Sequence, residues 1–307
     1  MAQNVGTPSF FVDIPTFENS LGHTGWASNQ SDFIGLNPTN TTALTMGNYT
    51  YTFLRETDID SVFFLGHDFF TNSTAITMSD DAGDLAPIGI INYEASTGGQ
   101  LLSPEYDGFS YLSKSTESLS ITIGLVAGGS FNLGAICLSK KYDMPHSPDL
   151  NLKLSYIHDG VRSITTKGGT TLSNATYTKP ADWGEYGAWQ LGNKQNYRSG
   201  RRVWDLSFSY LSDTDVMPNL GVQNYETNLD GTIVDTEDIL TGTDFFSQVW
   251  NKTMGGHLPF IFQPDGGDSS TNSPDGFAIC RFDMNSLTYD QVANNVYNVK
   301  LKIRECW

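Results

Sequence analysis

Period-two alternation of apolar and polar residues recurs along this chain and restricts it more than any other feature. From Val203 to Leu211, Trp204, Leu206, Phe208 and Tyr210 fall on one side, with Asp205, Ser207 and Ser209 on the other. Tyr297, Val299, Leu301 and Ile303 alternate with Asn298, Lys300, Lys302 and Arg304, and Leu119, Ile121, Ile123 and Leu125 with Ser120, Thr122 and Gly124. Leu152, Leu154 and Tyr156 repeat the pattern. Side chains of a strand point alternately to its two faces, so such segments are strands with one buried and one wet face, the mark of antiparallel sandwiches. Glycine pairs at Gly98-Gly99, Gly168-Gly169 and Gly266-Gly267 punctuate the strands.

One segment has helical spacing instead. Thr243 or Asp244 can cap a helix over 243–254, in which Phe245, Phe246, Val249, Trp250 and Met254 form a stripe that packs on a sheet, and Gly255-Gly256 ends it. A short helix near Ser286–Ala293 is a second expectation. Pro145 and Pro148 interrupt both periodicities. The chain therefore divides into 1–146 and 147–307, two antiparallel β-sandwich domains of a mainly β protein, the second with one flanking α-helix. The acidic, aperiodic stretch Leu220–Thr241 reads as a long loop.

Apolar residues make up 38% of the 307 positions, enough for a core, while only 17% are charged against about 25% in an average globular protein. A surface of uncharged Asn, Ser, Thr and Gly is cheap to desolvate beneath a neighbouring molecule. The net charge of −17 opposes general binding to phosphate backbones, so no specific nucleic-acid binding is expected. No stretch approaches 18 apolar residues and no secretory signal is evident, so no membrane partner is expected. Cys137 and Cys280 lie inside apolar strands and Cys306 has no partner of suitable spacing, which predicts free thiols and a reducing compartment.

Catalytic patterns are missing: there is no phosphate-binding loop, dinucleotide fingerprint, HExxH or nucleophile elbow. His23, His67, His146, His158 and His257 do not share metal-ligand spacing. No catalytic residue, cofactor or metal is assigned. Asp80, Asp81 and Asp84, and separately Asp230, Asp235, Glu237 and Asp238, are hard-oxygen clusters without the EF-hand spacing; they read as solvated acidic loops. The basic residues concentrate after position 149, where Lys194, Arg198, Arg201 and Arg202 form a cluster suited to a contact with the carboxylates of a neighbouring copy. Residues 1–149 hold 16 acidic against 4 basic groups.

Two segments carry a resemblance. Asp58–Asp68, with the apolar run Val62-Phe-Phe-Leu65 before Gly66-His67, together with Thr74–Met78 and Gly134–Leu138, resembles a galactose-binding-like jelly roll of phage tail-associated proteins. Gly200–Tyr210, the helical stripe and then Leu258–Asp265 are similar to minor tail and distal-tail-like proteins, in which a β-sandwich with one flanking helix closes into a ring. In those the ring-forming domain comes first, whereas here the helix-bearing segment comes second. The resemblance implies a jelly-roll-like first domain and a non-enzymatic structural virion component, a phage tail or baseplate protein assembled in the host cytoplasm. Its partners would be copies of itself in a ring, six being one option, and other tail or baseplate proteins. A head-to-tail connector or capsid-associated protein is a further option. A different class of function is a carbohydrate-binding module for host-surface glycans, with Trp26, Tyr49, Tyr51, Tyr93 and Tyr106 as stacking platforms.

Overall fold

The computed structural model describes the chain except residues 1–4, 27–32, 39, 87, 92, 96–100, 106, 127–128, 159–161, 175–200, 219–225, 228–232, 235–241, 268–275 and 307. The protein is mainly β, with antiparallel sheets of the sandwich class. One eight-stranded sheet runs from Lys141–Asp143 at its edge through Ser9–Val12, Phe260–Gln263, Ala278–Phe282, Val296–Glu305 and Arg201–Ser212 to Lys153–Ile157 at the other edge, with Tyr289–Ala293 joined to Val296–Glu305. This is sheet I. The other, sheet II, is built on two long strands, Gly47–His67 and Gly108–Val126, flanked by Ala135–Ser139 on one side and Ala75–Asp80, Leu102–Pro104 and Tyr93–Ala95 on the other; Gly83–Leu85 and Ile88–Ile91 pair off this path.

Sheet membership does not follow the boundary expected near residue 146. Ser9–Val12 and Lys141–Asp143 precede it in sequence, yet both belong to sheet I, where Phe10 faces Tyr142 on one side and Phe262 on the other. The two faces of Ser9–Val12 explain this placement. Phe10 and Val12 enter the core with Trp204, Leu206, Phe208, Phe260, Phe262, Val299, Leu301 and Ile303. Phe11 points the other way and meets Phe63, Leu65, Phe109 and Tyr111 of sheet II, together with Ile261, Phe277 and Ile279. A third core fills the far side of sheet II, with Tyr51, Val62, Phe64, Leu112, Ile121, Ile123, Phe131 and Leu133 among its members. The central strands of the contact are therefore buried on both faces, unlike the one-wet-face strands expected from the alternation. Their sequences, Phe10-Phe-Val12, Val62-Phe-Phe-Leu65, Ala135-Ile-Cys137 and Phe260-Ile-Phe262, are continuous apolar runs for that reason.

Irregularities displace particular residues from their expected faces. The ladder between Phe208 and Leu211 slips, Tyr210 adopts φ 63°, and its ring turns out to solvent while Leu211 takes the buried place. Leu119 is likewise exposed, opposite a large bulge in which Phe53–Glu56 separate Thr52 (across from Ser120) from Thr57 (across from Ser118). The helix expected at Ser286–Ala293 is instead the strand Tyr289–Ala293, folded back on Val296–Glu305 through a turn with Asn295 at φ 56°. Pairing with an adjacent strand supplies there the backbone partners that a short helix leaves unmet at its ends. The helix expected over 243–254 is present as a π-helix, Phe246–Asn251. Asp244 Oδ1 accepts from Ser247 N at 3.0 Å, Phe245, Val249 and Trp250 pack on sheet I, and Gly255 and Gly256 end the turn at positive φ. Met254, the last member of the stripe, is exposed. Of Leu220–Thr241, the short ladder Glu226–Thr227 with Ile233–Val234 is described; the remainder lies outside the described residues.

Candidate functional site

The residues singled out in the sequence separate into different environments. Arg202 lies on the strand next to the C-terminal strand and directs its guanidinium at Glu305: Nε and Nη2 donate to Oε1 at 3.1 and 2.8 Å, its backbone N donates to Oε2 at 2.7 Å, and Nη2 also reaches Phe277 O at 3.3 Å. The guanidinium lies 5.1 Å from the Trp204 ring centroid. Glu305 holds the Arg202 guanidinium in its charged form against the cost of burial. Arg202 thus closes its own sheet, and a contact with a neighbouring copy through it would have to share or displace Glu305. Arg201 stands beside it at the start of the strand, across from Ile157. Lys194 and Arg198 lie outside the described residues.

Three of the five aromatic platforms are enclosed by protein. Trp26 and Tyr51 are buried with rings 5.2 Å apart, and Trp26 meets Phe33 edge-on at 5.3 Å. Tyr49 is buried and donates to Thr45 O at 2.7 Å. A sugar cannot stack on a ring already enclosed by protein, so these three are core residues. Tyr93 is on a strand but its side chain, like all of Tyr106, lies outside the described residues.

The acidic loop at Asp80–Asp84 is bound into its own hairpin and to the adjacent strand Gly108–Val126. Asp80 Oδ1 accepts from Ala82 N and Gly83 N, both at 2.9 Å, and Oδ2 accepts from Thr116 Oγ1 at 2.6 Å, which holds its carboxyl below the usual range. Asp81 accepts from Ser118 Oγ. Asp230, Asp235, Glu237 and Asp238 lie outside the described residues. Among the described residues no three His, Cys, Asp or Glu side chains converge as metal ligands would. His67 is enclosed: its Nε2 meets Ser110 Oγ at 2.7 Å, its Nδ1 accepts from Phe69 N at 3.4 Å, and its ring stacks on Phe69 at 4.2 Å. An accepting Nδ1 puts the proton on Nε2, so the ring is neutral, and burial lowers its pKa to about 3. Cys137 and Cys280 are buried free thiols and Cys306 is partly exposed, also free.

Two surface features depend on elements described above. The first is the outer edge of sheet I. Lys153–Ile157 pairs with Arg201–Ser212 on one side, and among the described residues no strand pairs with its other side. Leu150 just before it is fully exposed, Tyr156 and Ile157 are exposed, and the adjoining hairpin of Ser163–Thr165 with Thr171–Ser173 presents Ile164 at 66% exposure. That hairpin pairs only with itself among the described residues.

The second is a cleft of about 240 Å³ where helix α1 (Ile14–Ser20), the bulge of Gly47–His67 and the end of the π-helix meet. Asp13 caps α1 through Thr16 N at 3.1 Å and holds the neighbouring strand through Leu138 N at 3.1 Å. Glu18, buried on the same helix, captures the bulge: its carboxylate accepts from Leu54 N at 3.1 Å and from Tyr51 Oη at 2.7 Å. The bulge in turn exposes Arg55, Glu56 and Asp58 to the cleft, while Lys140, Gln248 and Lys252 close it from other elements. Alternation could not announce this site, although the charged pair Arg55-Glu56 interrupting the alternation is its trace in the sequence. No protein-family model, curated protein or solved structure matches the chain.

Proposed function

We propose that this chain is a non-enzymatic structural protein that acts by associating with copies of itself, and that its setting is a phage particle, as a tail or baseplate component. The edge of sheet I carries the reading. Among the described residues no strand pairs with its outer side; an edge of this kind is a template for another chain, and natural sheets blunt such edges with charge, proline or a covering element. Here Lys153 is the one charged residue in Lys153–Ile157, and apolar side chains at Leu150, Ile157 and Ile164 stand exposed around it. A surface with few charges is also cheap to desolvate on association. The tail setting rests on the likeness of the Gly200–Tyr210 and Leu258–Asp265 segments to ring-forming tail proteins.

Light scattering across a concentration series tests the association. The native chain is expected to form a defined oligomer, and Leu150→Lys with Ile157→Lys to shift it to monomer without loss of thermal stability. A native chain that stays monomeric at high concentration overturns the reading. The tail assignment has its own test, electron microscopy of particles carrying a label on this chain.

A further inference from the structure

Lys252 combines enclosure with a neutral hydrogen-bond partner. Lys140, Lys141 and Lys302 each have a carboxylate oxygen within 2.9 Å. Lys252, partly buried after the π-helix, instead donates to the neutral amide oxygen of Gln248 at 2.8 Å, and among the described residues it forms no ion pair. Gln248 is itself fixed, its Nε2 donating to Gly242 O at 2.5 Å. The ammonium therefore lines the cleft with no direct ion-pair partner among the described residues, although the whole chain carries −17. Burial lowers its pKa to about 8, with Lys140 and Arg55 adding to the fall and Asp58 and Glu18 opposing it.

The nearby carboxylates have other uses. Asp58 pairs with Lys140 at 2.6 Å, and Glu18 is bound by Tyr51 and Leu54. Glu56 and Glu117 are exposed on the cleft rim. Beside Arg55 and the Asp58–Lys140 pair, the lining thus presents Lys252 inside, with no ion pair among the described residues, and two exposed carboxylates outside. We infer that the cleft binds a small amino-carboxylic acid, its carboxylate on the Lys252 ammonium and its own ammonium toward Glu56 and Glu117. A bare dianion such as phosphate gains Lys252 but meets the rim carboxylates with like charge. The volume, below the roughly 300–1,000 Å³ of drug-sized pockets, suits a ligand of a few carbons. This site is independent of the self-association proposed above, since none of its lining residues belongs to the Lys153–Ile157 edge.

The test is an NMR titration of the lysine side-chain methylenes in the native chain, with 4-aminobutyrate as probe and acetate, butylamine and inorganic phosphate as comparisons. Saturable 4-aminobutyrate binding is expected to raise the Lys252 pKa by about a unit or more, and binding weakens up to about tenfold per pH unit above 8 as the ammonium of the free protein is lost. Acetate, butylamine and phosphate are each expected to bind at least about tenfold more weakly. Lys252→Met abolishes the response, and Glu117→Gln with Glu56→Gln brings 4-aminobutyrate down to the acetate level while leaving the Lys252 signal in place. Three results overturn the inference: no saturable shift with any probe; equal response to acetate and 4-aminobutyrate; or a Lys252 shift that follows protein concentration without added probe, which would mean that a neighbouring copy's carboxylate occupies the cleft.

Discussion

Two buried ionisable side chains set opposing pH dependences within a few residues of the cores. Asp13 is fully enclosed, and burial raises its carboxyl from 3.8 to about 7 despite three hydrogen bonds from Thr16 and Leu138. A raised carboxyl means that the folded chain holds a proton the unfolded chain releases. Its stabilisation is complete below about pH 4 and is lost as pH rises through about 7. His67 acts in reverse, since its folded pKa of about 3 lies below the ordinary 6.5: its contribution is present above 6.5 and is lost as pH falls toward 3. Each slope is at most about 1.4 kcal/mol per pH unit, and over pH 4–6.5 they have opposite signs. Urea unfolding of His67→Gln minus native should therefore show a stability difference that becomes less favourable to the variant as pH rises from 4 to 6.5. The same difference for Asp13→Asn should run the other way. A second residue-scale expectation concerns Arg202. Arg202→Glu places like charge against the buried Glu305 and is expected to cost about 3–5 kcal/mol, seen as a fall in Tm, whereas Arg202→Met with Glu305→Leu should recover most of it.

At the scale of elements, periodicity located four of the strands and the helical stripe because one-sided burial leaves a period-two or 3.6-residue trace. Val296–Glu305, Arg201–Ser212 and the π-helix were legible for this reason. Register slips were not. Tyr210 and Leu119 fit the alternating pattern as well as their neighbours do, and only the backbone bulges turn them outward. The cleft was hidden for a related reason, since it exists where four residues of one long strand face a single residue of its partner. Glu18 is what holds this bulge on helix α1, so Glu18→Ala removes two acceptor contacts and leaves Tyr51 Oη buried without them. A loss of about 2–4 kcal/mol is expected by chemical denaturation. Tyr51→Phe, which spares the Leu54 contact, should cost less.

For the whole molecule, the contact between the sheets decides how it unfolds. Phe11, Phe63, Phe109, Tyr111 and Phe277 pack as one aromatic cluster, with Phe63 and Tyr111 stacked at 4.5 Å and Phe11 edge-on to Phe63 at 5.1 Å. Phe63→Ala removes a large side chain from this shared core and is expected to cost about 3–5 kcal/mol. Both sheets should lose stability together, so tryptophan fluorescence from Trp204 in sheet I and from Trp26 beside sheet II should report coincident transitions. A fragment of residues 147–307 lacks Ser9–Val12 and Lys141–Asp143, and is expected to show no cooperative transition until residues 1–146 are supplied in trans.

The placement of Ser9–Val12 also orders events in time. Its neighbour Phe260–Gln263 follows some 250 residues later, and at roughly 5–20 residues per second a ribosome needs about 13–50 s to deliver it. Through that interval Phe10 and Phe11 have one of their flanking strands still unmade. Newborn chains therefore carry a sticky apolar segment until Phe260–Gln263 has been made. Cells making this protein at high rate need either a holding chaperone on that segment or slow enough crowding of nascent chains to keep them apart.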